Sequence, residues 1–240
     1  MRTRSGLLMA LAAIGMELAV ASATAGDKET GILTDRLSTK QLRTWRLIED
    51  VVSAKGQDGQ PLHPRLHDLW QRIEGGRHVV HIEFPKTTNI DSNSAGSFRL
   101  EQCDPDNRRC EGVIRLSLST IENSLLSKEN RPTEGFIPFK GLGKIERYAE
   151  VLGHEMEHAV RVFENPHYAG MAAELEKQAR EFGDFLRQNA KGKLHERESE
   201  ERIARLTSLS DELERPAVLT EAEIWYELRE GQSVRFGAMR

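Results

Sequence analysis

The stretch VLGHEMEHAV, residues 151–160, decides how the rest of the chain is interpreted. It contains His-Glu-x-x-His, with His154 and His158 four residues apart. An α-helix places such residues one turn apart on the same face, so both imidazoles can point at one position in space. Two nitrogens at this spacing, with Glu155 beside them as a base toward water, are typical of a catalytic zinc site.

The residues around the motif predict the helix that it needs. Apolar or small residues recur at spacings of three and four, which indicates one buried face: Ile145, Tyr148, Ala149, Leu152, Met156, Ala159, Val160 and Phe163. No proline lies between Lys140 and Glu164, and Asn165-Pro166 supplies a stop. We therefore predict a helix over about 144–163. A chance occurrence of the motif, or two surface histidines on an ordinary helix, are the alternatives.

On these residues the chain resembles the zincin metallopeptidases, and the gluzincins among them. The resemblance covers the motif helix and the helix after it. It implies that His154 and His158 bind Zn²⁺ and that Glu155 is the general base toward a zinc-activated water. It also implies hydrolysis of peptide bonds in a peptide or protein substrate, without indicating which sequences are cleaved.

A catalytic zinc site has three protein ligands and one open position, so a third ligand is required. We expect Glu176, on a helix predicted over 171–188, where small residues on the same side permit close helix approach. The run Glu176-Lys177-Gln178-Ala179 resembles the Glu-x-x-Ala pattern of zincins whose third ligand is a glutamate on a following helix. Glu174, on the other side of the apolar stripe, is the second choice.

Three residues after the motif helix leave further alternatives open. Glu164 is six residues after His158, where one zincin branch has its third ligand, but a continuing helix would point it away. His167 follows the Asn-Pro stop, and a turn would bring it back toward the metal. His167 and Tyr168 are also candidates for stabilising an oxyanion.

Composition and the N-terminal stretch predict an exported protein. The chain has 240 residues and a net charge of −4, and the absence of a basic stripe argues against nucleic acid as a partner. Residues 1–25 resemble a signal peptide, with Arg2 and Arg4 before an apolar run and small residues at the cleavage site. A membrane anchor is the alternative, but the run is short and contains Glu17. We expect cleavage, no stable membrane span afterwards, and a periplasmic or secreted location.

Two cysteines, Cys103 and Cys110, follow the predicted signal peptide and flank a run rich in turn residues. In an oxidising compartment, a disulfide across a hairpin is the expected outcome. The flanking segments 97–103 and 112–120 alternate in polarity and predict the two strands of that hairpin. By resemblance to zincins, the strand near 113–119 either pairs with extended substrate or lies inside the sheet.

The remaining pattern predicts an α+β fold. We expect a single zincin-like domain over 26–240, with a small antiparallel sheet packed on the motif helix and a helical C-terminal half that includes an extension over about 194–240. Further helices are predicted over about 34–54 and 64–73, and a strand over 78–84. A loop over 127–142 precedes the motif helix. Pro216 is expected to end one helix, and Thr220 to open a last short one with Trp225 and Tyr226 on the core.

The functional prediction is an exported zinc-dependent metallopeptidase. A non-catalytic exported zinc-binding or scaffolding protein is the alternative from a different class, and a zinc-free structural protein is a third interpretation. The metal content of the purified protein separates the last from the other two.

Overall fold

The structure, a computed structural model, describes residues 30–85, 94–104, 109–126, 142–189 and 196–237. The predicted signal peptide at 1–25 and nearly all of the loop predicted over 127–142 lie outside these ranges. The described chain forms four strands and six helices, in this order: β1 (Gly31–Leu33), α1 (Thr39–Val52), α2 (Pro64–Glu74), β2 (Val79–Glu83), β3 (Gly96–Asp104), β4 (Arg109–Leu116), α3 (Leu118–Leu126), α4 (Lys144–Glu164), α5 (Pro166–Asn189) and α6 (Glu196–Gly237).

The four strands form one mixed sheet in the order β1-β2-β4-β3. The prediction of a purely antiparallel sheet is wrong, because β1 pairs with β2 in parallel and β2 pairs with β4 in parallel. Only β3 and β4 are antiparallel. The physical reason is connection length. α1 and α2 lie between β1 and β2 in the sequence, and β3 lies between β2 and β4, so both connections are long enough for parallel pairing, whereas only four residues separate β3 from β4. The broader prediction, a small sheet with a helical C-terminal half, is confirmed.

Of the two hairpin strands β3 and β4, only β3 has an edge that is not paired with another described strand. β4 has a partner on each side, so the part of the segment near 113–119 that lies in β4, residues 113–116, is interior and does not present a free edge. Among the described strands, β1 and β3 are the two edges of the sheet, and β3 is the edge strand that contacts α4. Cys103 and Cys110 form the predicted disulfide across this pair, with Cα atoms 4.0 Å apart.

Helix α4 lies at the centre of the core. Its inner side chains are fully buried at Tyr148, Leu152 and Met156, and they pack in one cluster with the sheet, α1, α2 and α6. The predicted bounds of 144–163 match α4, because the apolar stripe continues to its last turn and Asn165 leaves the helical conformation. The two motif histidines therefore project from a helix that is packed against the sheet and against three other helices.

Helix α6 runs through Pro216, so the prediction that this proline ends a helix is wrong. Proline removes one helical hydrogen bond at a cost of about 3 kcal/mol, but buried side chains on both sides of it offset that cost. Leu213, Ala217, Ile224, Trp225 and Leu228 are all less than 5% exposed. The last short helix predicted from Thr220 is part of α6. Trp225 packs on the core as predicted, whereas Tyr226 is 61% exposed.

Other predicted boundaries move by a few residues for local reasons. α1 begins at Thr39, because Ser38 and Gln41 form a capping box that Thr34 and Asp35 do not. α5 begins at Pro166 instead of 171, since proline is favoured in a first helical turn. The second hairpin strand ends at Leu116, and α3 follows it. No described helix combines the length and the apolar character that a bilayer span requires.

Gly153 directly precedes the motif and lies against α6, so a substitution there tests how tightly α4 is packed. A methyl group at Gly153 would lie 2.2 Å from Cδ1 of Ile224 and 3.1 Å from Cδ1 of Leu66. We expect Gly153→Ala to lower the free energy of unfolding by about 1–2 kcal/mol, because overpacking outweighs the gain of about 1 kcal/mol in helix propensity. Urea unfolding measures this change. Gly183→Ala in α5, where nothing lies within 4 Å, should instead stabilise the protein, and equal effects would contradict the packing.

A network of charges connects the segment after β1 to strands β2 and β3 and should make the fold sensitive to acid. Arg36 lies 2.8 Å from Glu101 and 2.9 Å from Glu83. Its hydrogen bond to Glu101 lowers the pKa of that carboxyl from 4.5 to about 2, although burial opposes the shift. The stabilisation is therefore complete above about pH 4.5 and is lost as the pH falls from 4.5 toward 2.

We expect Glu101→Gln to cost about 1–2 kcal/mol in free energy of unfolding at pH 7, because partial exposure reduces the linkage maximum of about 3 kcal/mol. The difference from wild type should shrink below pH 4 and nearly vanish near pH 2. Urea titrations across this range measure it. Glu181→Gln, on an exposed part of α5, is the control, and a deficit that did not depend on pH would contradict the role of this carboxylate.

Candidate metal centre

Three side chains from two helices converge on one position. Nε2 of His154 and Nε2 of His158 are 3.2 Å apart, and Oε2 of Glu214 lies 3.3 Å from the first and 3.5 Å from the second. Among the described residues, this is the one group of at least three histidine, cysteine, aspartate or glutamate side chains whose ligand atoms lie close enough together to hold a metal ion. The helical spacing predicted from the sequence does bring the two imidazoles together.

Contacts among α4, α5 and α6 fix the position of Glu214. The Tyr168 hydroxyl of α5 donates to the carbonyl of Leu213 in α6, at 2.5 Å. The same hydroxyl lies 3.0 Å from Nδ1 of His158. One tyrosine therefore links a motif histidine to the backbone of the residue before Glu214, so that the three helices set the geometry together.

The partners of Tyr168 also determine the tautomer of neutral His158. A carbonyl only accepts hydrogen bonds, so the single hydroxyl proton of Tyr168 points at Leu213. Burial raises the pKa of Tyr168 well above its usual value, which keeps that proton in place. The hydroxyl must therefore accept a hydrogen bond from Nδ1–H of His158, and Nε2 of His158 carries a lone pair directed at Glu214 and His154.

The carboxylate of Glu221 likewise determines the tautomer of neutral His154. Nδ1 of His154 lies 3.1 Å from Oε2 of Glu221, which is held in turn by Arg147 at 3.0 Å. Burial would raise the pKa of Glu221, but the hydrogen bond with His154 and the contact with Arg147 outweigh it and lower the pKa. The ionised carboxylate accepts Nδ1–H, so the Nε2 atom of neutral His154 is also an acceptor. A histidine whose second nitrogen donates to a carboxylate is the usual arrangement for a metal ligand.

As a result, three hydrogen-bond acceptors lie close together, which is unfavourable: Nε2 of neutral His154, Nε2 of neutral His158 and Oε2 of Glu214. Two lone pairs and one carboxylate oxygen lie within 3.2–3.5 Å of one another and require a positive charge among them. Without another cation, a proton supplies it. Burial alone would lower the pKa of His154, but its hydrogen bonds with Glu214 and Glu221 raise it well above the usual value. Burial would likewise raise the pKa of Glu214, and the hydrogen bonds with both histidines lower it.

The same triangle fits a small divalent cation. Tetrahedral zinc has bonds of about 2.0–2.2 Å to nitrogen and oxygen, which place neighbouring ligand atoms about 3.3–3.5 Å apart. The three separations here cover 3.2–3.5 Å. Two imidazoles and one carboxylate also suit zinc better than calcium or magnesium, which prefer sets composed of oxygen. His154, His158 and Glu214 are therefore a fitting ligand set.

Glu155 lies beside this position and is 5% exposed. A methyl group on Gly96 of β3 would come within 2.6 Å of Oε1 of Glu155, so only glycine lets the strand approach this carboxyl. Burial raises the pKa of Glu155, although the two histidines counteract it. A carboxyl whose pKa is displaced upward toward neutrality suits exchange of a proton with water.

A cavity of about 100 Å³ opens onto these groups. Its polar side consists of the motif residues with Ser94, Ser97 and Glu214, and its apolar side consists of Phe98, Val162, Tyr168, Ala172 and Leu213. A larger cavity, lined by four glutamates and two arginines of α5 and α6, contains none of the convergent group. We locate the candidate site in the smaller cavity, because chemistry requires convergent groups more than volume.

The structure does not bring the expected third ligand, Glu176, into the group. Glu176 is buried, and its carboxylate lies 3.4 Å from Nη1 of Arg180. The expectation assumed close helix approach on this side of α5, but nothing lies within 4 Å of a methyl group placed on Gly183. Glu174, the second choice, hydrogen-bonds Gln178 of its own helix at 2.9 Å. Glu214 takes the place expected for these residues.

The remaining candidates, Glu164, His167 and Tyr168, are not among the three convergent ligand residues. Glu164 closes the last turn of α4 and forms an ion pair with Arg72, so the helix does point it away. His167 is exposed at the start of α5. Tyr168 reaches the site, but its hydroxyl is shared between His158 and the Leu213 carbonyl. Of the two oxyanion candidates, only Tyr168 lines the cavity, and it contacts the outer nitrogen of a ligand candidate.

Sequence reasoning missed Glu214 and Glu221, and a signal for both exists. They are seven residues apart, which is two helical turns, so they share one face of α6. Buried positions at 213, 217 and 224 run beside that face. This seven-residue spacing is informative only if one helix continues through Pro216. Because we expected the helix to end at Pro216, we did not place Glu214 and Glu221 on the same helix.

Comparison with protein families, with curated proteins and with solved structures gives no match. The chemistry of this site therefore has to be argued from its own residues.

Proposed function

We propose that this chain is an exported zinc-dependent peptidase, in which His154, His158 and Glu214 hold the metal and Glu155 is the general base. One observation carries the proposal: Nε2 of His154, Nε2 of His158 and Oε2 of Glu214 converge within 3.2–3.5 Å of one another. A proton would satisfy this arrangement, but a divalent cation satisfies all three acceptors together. The resemblance of the motif to that of the zincins agrees with this choice.

Bound zinc would polarise a substrate carbonyl and acidify water, as such ions do in hydrolases. Glu155 accepts the proton of the attacking water and delivers it to the departing amine, because its buried carboxyl lines the same cavity as the histidines. Glu221, held by Arg147, and Tyr168, held by the Leu213 carbonyl, fix the two imidazole rings.

The substrate would be an extended peptide lying along β3. This strand has a free edge among the described strands, and its residues Gly96, Ser97 and Phe98 line the cavity. Backbone pairing at a strand edge holds a peptide without regard to its side chains. The interior strand β4, which the sequence offered for this role, has no free edge. The proposed export depends on the N-terminal sequence pattern.

Metal analysis and metal removal test the proposal directly. We expect purified protein to contain about one zinc per chain and to cleave members of a mixed peptide library, with cleavage detected by mass spectrometry. Dialysis against a chelator should abolish cleavage, and stoichiometric Zn²⁺ should restore it. Calcium or magnesium should not restore it, because the ligand set is rich in nitrogen. Zinc without any cleavage would favour a non-catalytic zinc protein, and absence of metal would contradict the proposal.

A further inference from the structure

The apolar side of the cavity is a recess with a defined composition. Phe98 from β3, Val162 from α4, Ala172 from α5 and Leu213 from α6 surround it, together with the ring of Tyr168. Val162 lies one helical turn after His158, and Leu213 directly precedes Glu214. The recess thus begins at the metal centre, and the ionisable acidic and imidazole side chains among the described lining residues are those of Glu214 and the three motif residues.

The size of the recess limits what can enter it. The whole cavity measures about 100 Å³, and part of that volume lies over the histidines. A dry cavity of about 150 Å³ in another protein accepts benzene. Because the cavity here is smaller, we expect an aromatic side chain to fit it less well than an aliphatic one. A charged side chain placed against Phe98, Val162 and Leu213 would lose its hydration without gaining a partner from them, which is costly.

The back of the recess is firmly packed. Val162, Tyr168, Ala172 and Leu213 belong to a second hydrophobic cluster between α5 and α6, and each is at most 7% exposed. Such walls do not yield easily, because added volume in a packed core costs about 1–3 kcal/mol. The size limit should therefore apply to bound molecules as well as to the free protein.

We propose that this recess selects a small aliphatic side chain, of the size of alanine, valine or leucine, next to the scissile bond. The inference rests on the proposed peptidase function and names its substrate class. Val162, Ala172 and Leu213 determine the specificity through the space that they leave, and they take no part in the proton transfers.

Binding tests the recess independently of turnover. Methyl-labelled, zinc-loaded protein is titrated with N-acetyl-leucinamide and with N-acetyl-phenylalaninamide, and the methyl resonances of Val162, Ala172 and Leu213 are followed by NMR. We expect saturable shifts at these methyl groups with the leucine compound only. Equal shifts with both compounds, or no shift at these methyl groups with the leucine compound, would overturn the proposal. Shifts without cleavage of any peptide would leave the recess assigned and refute the peptidase function instead.

Two opposite substitutions test the size limit. Ala172→Leu fills the recess and should reduce cleavage beside leucine at least tenfold relative to cleavage beside alanine. Val162→Ala removes two methyl groups, so it should admit phenylalanine and raise cleavage beside it at least tenfold. Ala173→Leu, on the exposed side of the same helix, should leave the preference unchanged. A library profile that is the same for Ala172→Leu and Ala173→Leu would count against the proposal.

Discussion

Replacing Glu155 with glutamine is expected to reduce kcat for peptide hydrolysis by 10²–10⁴-fold and to leave the zinc content unchanged. Glutamine has the shape of glutamate, but its amide cannot accept the proton of the attacking water. The carboxyl of Glu155 lies against Gly96 of β3 and is not one of the three convergent ligand atoms, so the metal should remain bound. Steady-state kinetics on a cleaved library peptide, with zinc analysis of the same sample, measure both quantities.

The loss of turnover should not come from unfolding. Burial raises the pKa of Glu155, which means that the fold disfavours the charged form and that a neutral side chain is not expected to destabilise it. Glu157→Gln is the matched control, because it is the same change two residues along the same helix. Its buried carboxylate pairs with Arg65 and Arg161 on another side of α4, so stability should fall while kcat is retained. Unchanged turnover in Glu155→Gln would refute the mechanism.

The periodicity of α4 made the two histidines and their helix predictable from sequence. An apolar stripe reports one helix face, and residues four apart on that helix must approach each other whatever surrounds them. The same holds for the Cys103–Cys110 disulfide, which a short turn between two alternating segments already implies. Both are local features whose geometry depends on fewer than ten residues.

The third member of the group, Glu214, could not be selected from local sequence alone, because its position depends on distant contacts. Glu214 meets His158 across 56 residues of sequence, and its position depends on how α5 returns the chain and on the Tyr168–Leu213 contact. Neither is encoded in a local pattern. The direction of strand pairing is similarly non-local. The buried residues of β2 would be covered equally well whether β4 paired with it in parallel or antiparallel.

Pro216 shows how a local rule can mislead about a distant site. Proline disfavours a helix interior by about 3 kcal/mol, and the sequence contains no comparable local signal that continues α6. The compensation comes from tertiary packing of Leu213, Ala217 and Ile224, which only the assembled core supplies. Because the helix continues, Glu214 and Glu221 lie on one face, two turns apart, and meet the inner and outer nitrogens of His154.

The second large effect is expected at Glu214. Glu214→Gln should weaken zinc binding by more than the 10–100-fold that is typical for loss of a residue that only supports a ligand. Zinc at 100 times its dissociation constant stabilises a fold by about 2.7 kcal/mol, and a 100-fold weaker site at the same concentration retains about 0.4 kcal/mol. The zinc-dependent rise in Tm should therefore shrink by about 5–9 °C in a chain of this size.

Glu176→Gln and Glu174→Gln are the decisive controls, because the sequence pattern favoured these residues as the third ligand. Glu176 lies 3.4 Å from Arg180, and Glu174 hydrogen-bonds Gln178, so both variants should bind zinc as wild type does. Competition with a chromophoric chelator gives the dissociation constants, and Tm with and without zinc gives the coupled stability. The proposal would be contradicted if Glu176→Gln lost the metal while Glu214→Gln kept it. In that case the metal would bind elsewhere, and a proton would lie between Glu214 and the two histidines.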